Sequence, residues 1–199
     1  MFPLGTVLVP HEVLPLHVFE PRYRALVHDC LAADRTFGVV LIERGSEVGG
    51  GDARFDAGCS AVITAADEQP DGRWGIVATG AQPLRVMTWL ADDPYPRAEV
   101  ESVEESWTEA ASVALDRAVD GFRRVVDLAQ QLGGRTDDRI LELPGEPELD
   151  QWTLVSRAPV GVLDKHALLA APGPAARLTL LEEQLGDLAT VLASRLSGG

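Results

Sequence analysis

His11, Glu12, His17, Glu20 and His28 crowd into the first stretch of the chain, and imidazoles and carboxylates at close spacing are the usual material of a zinc centre. None of them forms HExxH or another ligand pair on one helix face, and no cysteine cluster completes a set, so no metal site is expected. His28 and Cys30 could form a thiolate–imidazole pair, but residues two apart on a helix do not face each other. Cys30 falls on an apolar stripe and reads as an inert core thiol. Cys59 lies far from it without CxxC spacing, and no disulfide is expected. Lys165 is the only lysine and is followed by His166, which excludes a phosphate-binding GxxxxGK[ST] loop and leaves a Ser–Lys dyad without support. Ser60, in Gly58-Cys59-Ser60-Ala61-Val62, lacks the second glycine of a nucleophile elbow. Carboxylates are plentiful at Asp92, Asp93, Glu99, Glu101, Glu104, Glu105 and Glu109, yet no pair stands out as general acid and base. The chemistry-bearing residues therefore point away from catalysis and from any cofactor.

The elements that position these residues change character along the chain. Up to about Val103, short β-branched or apolar runs broken by Gly, Pro and Asp predict strands at 6–9, 14–18, 37–43, 58–66, 73–79, 83–90 and 97–103. The nearly continuous apolar run Phe37–Ile42 predicts a central strand covered on both faces. Asp71-Gly72 marks a hairpin joining 58–66 to 73–79. One helix interrupts this half, with Glu20 at the capping position, Pro21 first, and Tyr23, Leu26, Val27, Cys30 and Leu31 on one face. The segment Gly45 to Gly58 reads as a mobile loop. From Ser106 the period becomes helical: one helix carries Trp107, Ala111, Leu115, Val119, Phe122, Val126 and Ala129 and stops at Gly133-Gly134. A second follows Glu146-Pro147 and ends before Pro159, a third is capped by Asp164, and a last one from Pro174 carries Leu178, Leu181, Leu185, Leu188 and Leu192 as the core seam of a small bundle.

Composition narrows the function classes. In 199 residues, 46% are hydrophobic and 24% charged, enough for a real core and outside the disordered and low-complexity classes. Seventeen Lys+Arg against thirty-one Asp+Glu give a formal charge of −14, and the basic stripe that nucleic-acid binding needs is absent. No run approaches the roughly 20 apolar residues of a membrane span, and Met1-Phe2-Pro3-Leu4-Gly5 lacks a basic signal region. A cytoplasmic location is expected.

Phe2-Pro3-Leu4, Val9-Pro10, Leu14-Pro15-Leu16-His17-Val18-Phe19-Glu20-Pro21-Arg22-Tyr23-Arg24 and Phe37–Ile42, in that order and spacing, resemble the substrate-binding N-terminal domain of Lon proteases, most closely the stand-alone bacterial proteins built from that domain. The likeness continues through Gly75–Gly80 with Pro83-Leu84-Arg85-Val86, and more weakly through Leu163-Asp164-Lys165-His166-Ala167-Leu168-Leu169. The resemblance implies an α+β fold: an N-terminal PUA-like β pseudo-barrel of six strands with one packed helix, in residues 1–104, and a C-terminal helical bundle in 105–199. His11 stands where the family usually carries glycine. Histidine tolerates the left-handed region better than β-branched residues do, so the turn is expected to survive.

The function implied is a non-catalytic polypeptide-binding module without ATPase or peptidase domains. Its partners would be unfolded or degron-bearing polypeptides, with a protease or chaperone as a further partner, no nucleic acid and no membrane, the protein itself being a monomer or weak dimer. Two alternatives stay open: a small-molecule-binding or catalytic protein using the cleft between barrel and helices, and an RNA-binding PUA-like protein. The expected polypeptide-binding residues are His11, Glu12, Val13 and Leu14 in the Pro-flanked turn and strand, and Arg22 and Arg24 opposite the helix's Tyr23/Leu26/Val27 stripe. Affinity is expected to come from apolar burial and edge-strand pairing, and basic, apolar peptides should be preferred over acidic ones.

Overall fold

The computed structural model describes residues 1–47, 51–135 and 139–197. The chain divides into two compact units, Met1–Glu104 and Glu105–Gly199.

The first unit holds β1 (Phe2–Leu4), β2 (Val13–Val18), α1 (Pro21–Ala32), β3 (Thr36–Arg44), β4 (Ala53–Glu68), β5 (Trp74–Leu90) and β6 (Arg97–Ser102). They form one six-stranded sheet in the order β1-β3-β4-β5-β2, with β6 paired to β5 beyond that path. Only β1 and β3 run parallel. The expected barrel is not closed, because β1 and β2 end the path without pairing to each other. In β3 the continuous apolar run is explained by two cores: Phe37 and Val39 pack with Val18, Leu26, Ile63 and Ile76, whereas Val40 faces the opposite way onto Leu84 and Val86. Each such buried aliphatic side chain contributes about 1.5–3 kcal/mol. α1 closes the larger core with Tyr23, Leu26, Val27 and Cys30.

Three expectations need correction here. The run 6–9 is not a strand. Val7, Leu8 and Val9 are buried, but the chain pairs earlier, at Phe2–Leu4, and the Val9 carbonyl instead abuts Gly80 so closely that a Cβ there would overlap it. The apparent break between 73–79 and 83–90 is a bulge inside the single strand β5, opposite the register shift between Cys59 and Ala61. Ser60 clips that bulge, its Oγ accepting from Gln82 N at 3.1 Å and donating to Gln82 O at 3.2 Å. Of the expected loop 45–58, residues from Ala53 onward belong to β4, and 48–50 lie outside the described residues. The Asp71-Gly72 turn does join β4 and β5, with Gly72 at φ 78° and its N–H on Gln69 O at 2.8 Å.

The second unit contains α2 (Glu109–Gln131), α3 (Pro147–Arg157), α4 (Val162–Ala170) and α5 (Pro174–Ser197). α2 and α5 form its principal packing pair. Leu178, Leu181 and Leu185 are fully buried along the seam of α5. Trp107 precedes the helix it was expected to begin: Thr108 is the cap, its Oγ1 accepting from Ala111 N at 3.2 Å, while Trp107 Nε1 donates to Ser112 Oγ at 2.9 Å. Gly161, not Asp164, occupies the cap position of α4, and Asp164 lies in its first turn. A charge sits at the centre of this unit. Arg177 has 0% of its surface exposed. It donates to Leu168 O and Gln151 Oε1, each at 2.9 Å, and to both oxygens of Glu105, and its guanidinium lies 3.8 Å from the Trp152 ring centroid.

Candidate functional site

A pocket of about 210 Å³ opens at the seam of the first unit, between the two unpaired ends of the sheet. Phe2 and Leu4 of β1 line one side, and Pro15–Val18 of β2 the other. Phe19, Glu20, Tyr23 and Glu47 complete it. The floor is apolar and rigid. Phe2 stacks on Tyr23 with ring centroids 4.2 Å apart and planes 9° from parallel, and Phe37 supports Phe2 at 6.1 Å. The Arg22 guanidinium covers the Tyr23 ring at 4.5 Å, and burial pushes the Tyr23 hydroxyl up to about 12. Phe19 stands at the rim with 51% of its surface exposed.

Alternation along β2 sets this arrangement. Leu14, Leu16 and Val18 point inward, whereas Val13, Pro15 and His17 are exposed. Glu20 occupies the expected N-cap position of α1, its carbonyl accepting from Arg24 N at 2.9 Å, while its carboxylate makes no cap bond and accepts from Arg22 Nε at 3.1 Å. Arg22 also donates from Nη2 to Glu47 O at 3.3 Å. The pocket therefore combines an aromatic floor, an exposed aromatic rim and two carboxylates, Glu20 and Glu47. Its volume lies below the roughly 300–1,000 Å³ typical of small-molecule sites and suits one large apolar side chain.

The six residues expected at the site occupy four places. His11 and Glu12 build a tight turn. Glu12 N donates to Val9 O at 3.2 Å, Glu12 Oε2 accepts from Val9 N at 3.1 Å, and His11 adopts φ 65° after Pro10, the conformation a glycine would take there. The turn is tied to β5, with His11 N on Gly80 O at 2.8 Å and Gly80 N on Glu12 O at 2.9 Å. On β2, Val13 is 61% exposed, while Leu14 packs against the core. Arg22 borders the pocket through Glu20 and Glu47. Arg24 is half-buried beside the β4–β5 turn, its guanidinium occupying the space a Cβ on Gly72 would need. Of the other pocket-lining residues, Phe2, Leu4 and Phe19 lie within the strings that carry the resemblance but are not among the expected contacts, because β1 and β2 come together only through the sheet between them, and Glu47 carries no signal in the sequence.

The thiols and imidazoles do not converge. Cys30 and Cys59 are free and buried; burial pushes the Cys59 thiol up to about 12 and raises that of Cys30. Among the described residues no group of three His, Cys, Asp or Glu side chains is placed to hold a metal ion. No helix among them is long and apolar enough to cross a membrane.

A six-stranded sheet with one packed helix and an open seam, followed by a unit of helices, defines a mixed α+β architecture. Residues 1–187 match the substrate-binding domain of ATP-dependent protease La (LON), and the chain belongs to that family. Lon protease 2 of Herpetosiphon aurantiacus is 26% identical over 97% of this chain and 23% of that protein. Lon protease 2 of Sorangium cellulosum is 28% identical over 94% of this chain and 24% of that protein. The chain thus spans about a quarter of the length of these curated relatives. The crystal structure of a Lon N-terminal domain protein from Xanthomonas campestris superposes with a TM-score of 0.60 at 25% identity, covering 90% of this chain and 94% of that one. The N-terminal domain of a Mycobacterium avium complex Lon protease shares the fold, with a TM-score of 0.64 at 18% identity over 93% and 97% of the two chains.

Proposed function

We propose that the chain is a non-catalytic polypeptide-binding module that holds unfolded or degron-bearing segments in the cytoplasm, for itself or for a protease or chaperone, by taking one of their apolar side chains into the seam pocket. The observation that carries this reading is the pocket floored by Phe2 and Tyr23 and walled by Pro15–Glu20. Burial of one such side chain supplies about 1.5–3 kcal/mol, or roughly ten- to hundredfold in affinity. The first unit's 8 basic against 16 acidic residues favour partners with basic flanks and disfavour RNA.

Fluorescence anisotropy with reduced, carbamidomethylated lysozyme, a basic unfolded chain, as the probe and native lysozyme as control tests the proposal. Binding of the unfolded form alone is expected, weakened at least tenfold by Phe19→Asp and less by Val13→Asp, with circular dichroism unchanged. Salt should have only a modest effect. Equal binding of both forms, or indifference to Phe19→Asp and Val13→Asp together, would remove the pocket from the function.

A further inference from the structure

The outer edge of β2 has no strand partner among the described residues, and its hydrogen-bonding pattern is set by Pro15. On its inner edge β2 pairs antiparallel with β5, Pro15 opposite Val77 and Leu16 opposite Ile76. Proline has no N–H, and the flanking bonds between Gly80 and the His11/Glu12 turn fix which residues of β5 face β2. Counting back by twos from Gly80, Ala78 and Ile76 direct their backbone groups to β2, so Leu14 and Leu16 are the paired residues. Val13, Pro15 and His17 direct theirs outward. The edge therefore offers three carbonyl acceptors but only two N–H donors, immediately beside the pocket.

Resting on the polypeptide-binding reading, we propose that β2 recruits its partner as an added antiparallel strand, an extended segment with basic flanks whose inward side chain opposite Leu16 enters the seam pocket. The pocket reads one side chain; the edge reads backbone. A second copy of this chain is the poorer occupant on two counts. Self-pairing centred on Pro15 sets proline against proline and loses both central hydrogen bonds, and it brings together two surfaces of the same acidic sign, at −14 per chain. A foreign segment loses only the single donor at Pro15, and its cationic flanks meet a rim whose two carboxylates, Glu20 and Glu47, outnumber the one cation beside them among the described residues, Arg22. Antiparallel addition is the more stable mode per residue. It also sets the parity of the contacts: partner residues opposite Val13, Pro15 and His17 face outward and give their N–H groups to β2, while the inward residues that fill the pocket do not.

The test leaves the protein unaltered and modifies the ligand. The probe is a fluorescein-labelled peptide of sequence RVTFTVTR, with Phe and Val on the inward parity and Thr on the outward, together with a series N-methylated at each inner residue in turn. The unmethylated peptide should bind. Methylation at each Thr should weaken binding tenfold or more, and methylation at Phe or Val less than threefold. A flat profile would overturn strand addition while leaving polypeptide binding in place. The opposite parity would overturn the antiparallel register. Failure of the unmethylated peptide, in a preparation that does bind unfolded lysozyme, would likewise overturn recognition through this edge, whereas failure of both probes would sink the underlying reading as well.

Discussion

The two units reach a defined structure by opposite means. The sheet unit keeps charge out of its main core and specifies itself through backbone pairing and close approach at Gly58 and Gly80, where a Cβ would overlap a neighbouring carbonyl. The helical unit, whose helices satisfy their own backbones, places Arg177 at its centre and uses it to tie α5 to α4 through Leu168, to α3 through Gln151 and Trp152, and to the segment before α2 through Glu105. Strands are positioned by register, since a one-residue slip turns every side chain over. Apolar helices can slide and rotate on one another, and a buried, directional hydrogen-bonding hub removes that freedom.

The sharpest way to break this contrast is Arg177→Ala. It strands Glu105 and empties the space over Trp152, and is expected to cost about 3–5 kcal/mol, read as loss of far-ultraviolet helix signal in urea titration. Restoring volume without charge, by Arg177→Met with Glu105→Leu, should recover most of it. Unchanged stability of the helical unit in the single mutant would refute this account of it. Next in size, Gly80→Ala forces a methyl group onto the Val9 carbonyl and should cost about 1–3 kcal/mol. That loss should appear in the near-ultraviolet signal of the sheet unit's tyrosines. His11→Gly and Arg35→Gly should each stabilise the sheet unit by about 1 kcal/mol, because both residues hold positive φ, at 65° and 63°. In the helical unit the described positive-φ positions are already glycines, Gly133, Gly145 and Gly173, so no such gain is available there.

The smallest effect at neutral pH, and the most selective, concerns the two tyrosines, Tyr23 and Tyr95, both in the sheet unit. Burial raises Tyr23 to about 12, and the hydrogen bond that Tyr95 donates to Asp29 at 2.6 Å raises it to about 12 as well. Raised acids bind more protons folded than unfolded in this range. Their contribution is therefore complete below the ordinary value of 10 and is lost as pH climbs through about 12. Tyrosinate absorbance should stay near zero past pH 10 and then rise together with unfolding of the sheet unit. Ordinary titration near 10 in the native protein would contradict the burial of Tyr23 and the Tyr95–Asp29 bond.

How much of this was readable beforehand differs by residue. Pro21 with Tyr23, Leu26, Val27 and Cys30 predicted α1 and its buried face, and the unbroken Phe37–Ile42 run predicted a strand with two covered faces. Leu178, Leu181 and Leu185 gave the α5 seam. By contrast, β1 is three residues with a proline in the middle, too short for any period, and the neighbouring run 6–9 is the more β-like in composition. Gln82-Pro83 resembled a strand end because a bulge and a break use the same residues. Arg177 carries no signal in the sequence, since nothing local distinguishes a buried arginine from a solvated one until its partners at Gln151, Leu168 and Glu105 are in place.

For the candidate site, the sequence by itself determined the parity of β2, with Leu14, Leu16 and Val18 on one face and Val13, Pro15 and His17 on the other, and it determined that Pro15 leaves a donor missing on one edge. These are properties of a pleated backbone and of one ring, and they need no neighbours. Only the tertiary structure decided that β2 and β1 would face each other across an open seam, bringing Phe2 and Leu4 to Pro15–Val18 and turning Phe19 outward beside them. The reason is the length of the path. The two ends of the sheet are related through three intervening strands, each adding its own twist and bulges, and the gap that remains is a sum over β3, β4 and β5 rather than a property of any one of them.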